Sequence, residues 1–175
     1  MILVDADVGT DWGRQTNWPA LAQKAGLAAV CHSRHSALID DGCPVELSVK
    51  FTDNAEVQAL NATFRKKDTP TNVLSFPMIE AGLIESIAVA DEREILLGDI
   101  VLAHGVCVAE AADRGISTEF HASHLVVHGV LHLLGYDHID EGQAEAMEQI
   151  EVKALASIGV PDPYQHEEVI IRNHG

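Results

Sequence analysis

The chain has 175 residues, 47% hydrophobic and 22% charged, a balance that suits one folded unit with a sizeable core and not a disordered or fibrous sequence. Its net charge of −16, with only 11 basic residues, argues against a broadly basic nucleic-acid surface, so any RNA contact must be local. Cys31, Cys43 and Cys107 form no Cys-x-x-Cys pair and are odd in number, which argues against a disulfide framework or a thiolate zinc knuckle and leaves buried free thiols as the expectation.

Ile2 to Val8 reads as a short strand. The same stretch carries early acids and no positive leader, so it is not expected to be a secretory signal. Pro19 to about His32 has Leu21, Ala25, Ala28 and Ala29 near helical spacing, with the proline suited to a first turn. Val45, Leu47, Val49 and Phe51 alternate with Glu46, Ser48 and Lys50, the pattern of a half-buried strand. Asp53 with Glu56 reads as the start of a helix whose inner face is Val57, Leu60, Asn61 and Phe64. Arg65, Lys66 and Lys67 end that helix, where cations also suit the negative end of its dipole.

Pro70 breaks the chain, and Asn72 to Phe76 reads as a strand closed by Pro77. Glu80 to Glu94 is an acidic connection. Ile95 to Ala103 gives another strand, in which Gly98 marks a bulge or a close backbone approach. A helix from Val106 to Arg114 is capped by Gly115. Ser117 or Thr118 then opens a helix to about Leu134 that is apolar nearly all round and therefore central. Within it, His121 and His124 are expected to be satisfied, partly buried histidines. Glu141 to Ile158 is the last helix, with Ala144, Met147, Ile150, Glu151, Ala154 and Leu155 inward. Met147 fits that face as a core residue. No stretch reaches the roughly eighteen uncharged apolar residues of a membrane span, so a cytoplasmic protein with no membrane contact is expected.

His128, His132 and His138 have the spacing H-x3-H-x5-H. Two histidines four apart on a helix project from one face, and both can reach one ion at about 2.0–2.1 Å. Gly135 can end the helix in a left-handed conformation and bring His138 back to the same point. Three protein ligands without an obvious fourth match a catalytic zinc site with an open position, although three imidazoles also accept nickel, copper or iron. The spacing is that of metzincin peptidases, but Gly129 stands where those enzymes carry the glutamate base. The base is thus unassigned. Asp137, beside a ligand, is a candidate base or orienting carboxylate and equally a turn residue; Asp99 is a weaker candidate for orienting a histidine.

The string His-Gly-Val-Leu-His-Leu-Leu-Gly-Tyr-Asp-His closely resembles the YbeY family, described as metal-dependent endoribonucleases that mature bacterial ribosomal RNA. Leu60 to Arg65, the run Pro-Thr-Asn-Val-Leu-Ser-Phe-Pro at 70–77, and Leu97-Gly98-Asp99-Ile100-Val101 extend the match in order from about Val45 to Tyr164. The resemblance implies one zinc ion on His128, His132 and His138, and a functional arginine at Arg65. It also implies action on single-stranded ribosomal RNA at the 3′ end of the small-subunit species, a part in ribosome quality control, and small-subunit partners including a GTPase.

Strands early and helices late predict an α+β fold: a small mixed β-sheet with helices packed over it. The metal site is expected on a central buried helix and the turn after it, at one sheet edge, facing the Arg65 segment. Residues 1–175 read as a single metal-dependent hydrolase domain, with a variable N-terminal part at 1–44 and a loose tail at 163–175. Two rival readings are a non-enzymatic ribosome assembly factor with a stabilising metal, and a metallopeptidase or amidase, which Gly129 disfavours. The oligomeric state is not legible.

Overall fold

A computed structural model of the chain describes residues 1–39, 44–84 and 95–164. Its centre is a four-stranded sheet built from β1 (Ile2–Val8), β2 (Val45–Thr52), β3 (Val73–Pro77) and β4 (Ile95–Ala103), in the order β1-β2-β4-β3. β1, β2 and β4 run parallel and β3 pairs antiparallel to β4, so the sheet is mixed and the fold is α+β, as the element pattern predicts.

The alternation along β2 sends Val45, Leu47, Val49 and Phe51 into the main core. The helices α1 (Trp18–His32), α4 (Thr118–Leu133) and α5 (Glu141–Ser157) contribute the other side of that core. On the opposite face, α2 (Asn54–Arg65) and α3 (His104–Arg114) supply Val57, Leu60 and Val106 to a smaller cluster with Leu74, Phe76, Val101 and Ala103. Burying apolar surface on both faces accounts for the near-continuous hydrophobic run of β4.

Local chemistry sets the helix ends. Asp53, Ser117 and Asp140 accept from the backbone N–H groups of Glu56, Phe120 and Gln143 at the starts of α2, α4 and α5. Gly98 combines both readings of its position. The register slips between Glu46 and Leu47 opposite it, and a Cβ there would lie 2.3 Å from the Phe76 carbonyl oxygen and 2.9 Å from Leu133 Cδ2. Glycine therefore lets β3 and the end of α4 close on β4.

Four details depart from the sequence reading. Phe64 is exposed, because the last turn of α2 overhangs the edge strand β3. Cys31 is exposed, and of the two described cysteines only Cys107 is buried. Tyr164, expected in the loose tail, packs against His124 with ring centroids 5.5 Å apart. Residues 1–39 carry no motif, yet β1 and α1 are integral to the main core. Cys43, residues 85–94 of the acidic connection and residues 165–175 of the tail lie outside the described residues. Among the described residues, no helix is long and apolar enough to cross a membrane.

Candidate metal centre

α4 runs through the core and places His128 and His132 one turn apart, both half-buried. It ends in a Schellman motif: the Gly135 N–H donates to His132 O at 3.0 Å and the Tyr136 N–H to Leu131 O at 3.0 Å. Gly135 adopts φ +95°, as its place in the motif requires, and the turn returns His138 to the other two rings. The His138 ring centroid lies 5.0 Å from that of His132 and 5.7 Å from that of His128. One ligand atom from each of the three histidines falls within 4.8 Å of the others.

The hydrogen bonds decide which nitrogens face the centre. The Tyr136 carbonyl can only accept, so His132 Nδ1–H donates to it at 2.9 Å. Glu151 Oε1 lies 2.7 Å from His128 Nδ1. Burial alone would raise the Glu151 carboxyl, but hydrogen bonds from His124 and His128 outweigh it and bring the group down to about 2. Glu151 is therefore an ionised acceptor, and His128 Nδ1–H donates to it. The Nε2 atoms of the two rings are the nitrogens left to face the centre, and they lie 3.0 Å apart. Burial, with His128 and His138 beside it, lowers His132 to about 4, so the ring is neutral at physiological pH. A neutral His132 ring converging with the rings of His128 and His138, with orienting acceptors behind the two helix histidines, forms a donor set that fits a zinc-like cation.

Glu151 is nearly sealed from solvent, at 1% exposure. Its Oε2 accepts from Tyr164 Oη–H at 2.5 Å and from His124 Nε2–H at 3.0 Å. Burial and the Glu151 charge raise the Tyr164 phenol, which keeps it a donor. The expectation of a satisfied, partly buried His124 holds only in part: its Nε2 meets the carboxylate that orients His128, but the residue is buried and its Nδ1 has no partner among the described residues. His121 bonds Glu110 at 2.8 Å, and Glu110 also accepts from Asn72 Nδ2 at 2.9 Å.

Arg65 meets this centre from the end of α2. A recess of about 190 Å³ is lined by Arg65, Asn72, Val73, Ser75, His128, Gly129, His132 and His138. It adjoins a wider cleft of about 460 Å³ lined by Arg65, Ser75, Pro77, His132, Gly135, Tyr136, Asp137 and His138. The 70–77 run thus supplies the wall opposite the histidines. Asp137 is half exposed in that cleft, and its Oδ1 accepts the His138 N–H at 2.8 Å. Asp99 orients no histidine, because its carboxylate takes the Ser48 hydroxyl on the sheet. A Cβ at Gly129 would come within 3.1 Å of Ile100 Cδ1 and Cγ2, so the position abuts β4 and leaves little room for a peptidase-type glutamate.

Sequence reasoning placed Glu151 on the inner face of α5 but gave it no role; the signal was a carboxylate inside an apolar stripe. Tyr164 and Arg34 had no signal. The Arg34 guanidinium carbon sits 4.5 Å above the Tyr136 ring and the Arg34 backbone N–H donates to the Tyr136 hydroxyl at 2.9 Å, so Arg34 braces the turn whose carbonyl holds His132.

The family model for Endoribonuclease YbeY matches residues 15–159, a span that reaches further towards the N-terminus than the motifs alone. Proteins named Endoribonuclease YbeY are similar over nearly the whole chain. That of Rhizorhabdus wittichii is 52% identical over 164 residues, covering 94% of this chain and 97% of its own. That of Zymomonas mobilis is 52% identical over 168 residues, covering 96% of each. The solution structure of TM1509 from Thermotoga maritima shares the fold with a TM-score of 0.51 and 22% identity, over 90% of this chain and 91% of that one. Family match, near-full-length similarity and the convergent histidines agree, and the chain belongs to the endoribonuclease YbeY family.

Proposed function

We propose that this chain is a zinc-dependent, single-strand-specific endoribonuclease that acts in the cytoplasm on ribosomal RNA, at the 3′ end of the small-subunit species. The observation that carries the reading is the meeting of Arg65 with three histidines in one recess. His128, His132 and His138 would hold one zinc ion. When bound, such an ion supplies Lewis acidity and an activated water at neutral pH.

The rest of the work falls to the chain's own groups. Arg65 binds the scissile phosphate, for which a planar guanidinium offers paired donors and offsets the charge that develops during cleavage. Glu151 and the Tyr136 carbonyl hold the two helix histidines in the tautomer that presents Nε2. Asp137, in the same cleft as Arg65, takes the proton released as the nucleophile attacks. Lys66 or Lys67 holds a neighbouring phosphate. A local recess and cleft suit an unpaired strand presented by a ribosomal particle better than a long duplex, for which a chain of net charge −16 offers little attraction.

The test is cleavage of end-labelled precursor ribosomal RNA by zinc-loaded protein beside equally folded Arg65→Ala and His132→Ala variants. Cutting by the parent alone, with 5′-phosphate ends, is expected. Equal cutting by all three would assign the activity to a contaminant, and cyclic phosphate ends would replace water by the neighbouring 2′-hydroxyl as nucleophile. No cutting of free RNA or of ribosomal particles would favour a non-enzymatic assembly factor.

A further inference from the structure

Phe64 is a large apolar side chain left 64% exposed at the last turn of α2. A scattered exposed hydrophobic residue is ordinary, but three features set this one apart. Its ring is held: Phe64 and Phe76 make an edge contact with centroids 5.4 Å apart and an interplanar angle of 66°. Phe76 is in turn anchored by packing on Val57, Leu74, Val101 and Ala103. The ring is thus fixed in position without being covered.

The second feature is charge. The three positions that directly follow Phe64 are Arg65, Lys66 and Lys67, all exposed, in a chain with only 11 basic residues. The third is adjacency along the chain to the metal centre: Arg65, the next residue, lines the recess of the three histidines, while Phe64 itself stands outside it. Adjacent Cα atoms are about 3.8 Å apart, so an aromatic ring and a phosphate-binding guanidinium leave the same short stretch of chain. A fixed aromatic face beside a run of cations is the combination that binds single-stranded nucleic acid: cations follow the phosphates and the ring stacks an unpaired base.

We infer that Phe64, braced by Phe76, is a stacking platform for an unpaired nucleobase next to the phosphate held by Arg65. This rests on the RNA reading proposed above. It adds a reason for single-strand preference, since a base engaged in a duplex is already stacked and cannot be splayed onto the ring.

The test uses the full chain and a short single-stranded oligoribonucleotide in which one abasic nucleotide is walked through the positions around the cleavage site. KM and kcat are measured for the parent, Phe64→Leu and Phe64→Trp. For the parent, one abasic position should raise KM about 10-fold, the usual scale of a base–aromatic stack. Phe64→Leu should show the same rise with the intact oligonucleotide and no further rise with the abasic one, whereas Phe64→Trp should behave as the parent. Equal sensitivity of Phe64→Leu and parent to the abasic position would overturn the platform while leaving the nuclease intact. A parent that neither binds nor cuts any of these strands would remove the RNA reading and the platform together.

Discussion

Glu151 Oε1 accepts the His128 Nδ1–H at 2.7 Å, across 23 residues and between two different helices. A carboxylate from α5 thereby sets the orientation of a histidine on α4. The same carboxylate ties down His124 and Tyr164, so the buried face of the centre is pinned at a single group.

Glu151→Gln keeps the size and removes the charge. Its amide oxygen replaces only one of the two carboxylate oxygens, so its NH2 group meets either the His128 donor in place of Oε1 or the His124 and Tyr164 donors in place of Oε2. Zinc affinity should fall about 10–100-fold, the range for losing an orienting partner of a ligand histidine. Competition with a chromophoric chelator reads this directly. Unchanged zinc affinity in a folded Glu151→Gln protein would remove Glu151 from the centre.

The contrast between Glu151 and Asp137 marks how far sequence alone could go. The histidines were legible because their spacing is local: a helical turn brings His128 to His132, and a glycine stop brings back His138. The sheet was legible because β2 alternates cleanly and Gly98 needs a reason. An orienting carboxylate is not local. Asp137 and Asp99 were singled out by proximity along the chain or by motif, yet one accepts the N–H of His138 and the other a serine on the sheet. The group that meets His128 comes from a helix whose packing the sequence does not specify. Tyr164 was hidden by its polar surroundings. Phe64 sits at helical spacing with Val57, Leu60 and Asn61, but β3 is an edge strand and, among the described residues, no further strand lies beyond it to cover the ring.

Gly135 should be intolerant of a side chain. Its φ of +95° lies where an L-residue is strained, and the Schellman bonds of Gly135 and Tyr136 depend on that conformation. Gly135→Ala should cost about 1–2 kcal/mol of stability in denaturant unfolding. It should also weaken zinc binding, because the turn that returns His138 and supplies the Tyr136 carbonyl to His132 would shift. A variant with parental stability and zinc affinity would refute this account of the turn.

Lys66 carries the opposite opportunity. It is the one non-glycine with positive φ among the described residues, at +57°. Replacing it by glycine relieves a left-handed lysine, offset in part by the freedom glycine gains when unfolded. Lys66→Gly should raise stability by about 0.5–1 kcal/mol, whereas Lys67→Gly, with no such strain to relieve, should not. Equal effects of the two substitutions on the unfolding midpoint would mean that charge, not backbone strain, governs this helix end.

Cys107 offers a probe of the layer behind the recess. Burial, with the charges of Glu110 and Glu119 adding to it, pushes its thiol up to about 12, so almost none is thiolate at neutral pH. In a chain whose other cysteines are replaced by serine, a thiol reagent at pH 8 should leave Cys107 unmodified while the protein is native and modify it promptly in denaturant. Residual native labelling then measures how often α3 lifts from the sheet. Glu110 is on that helix and bonds both His121 of α4 and Asn72 at the mouth of the recess. Zinc binding should therefore slow the labelling of Cys107, although the thiol itself takes no part in the centre. Labelling that is fast in the native protein and indifferent to zinc would show that α3 moves independently of the wall it is bonded to.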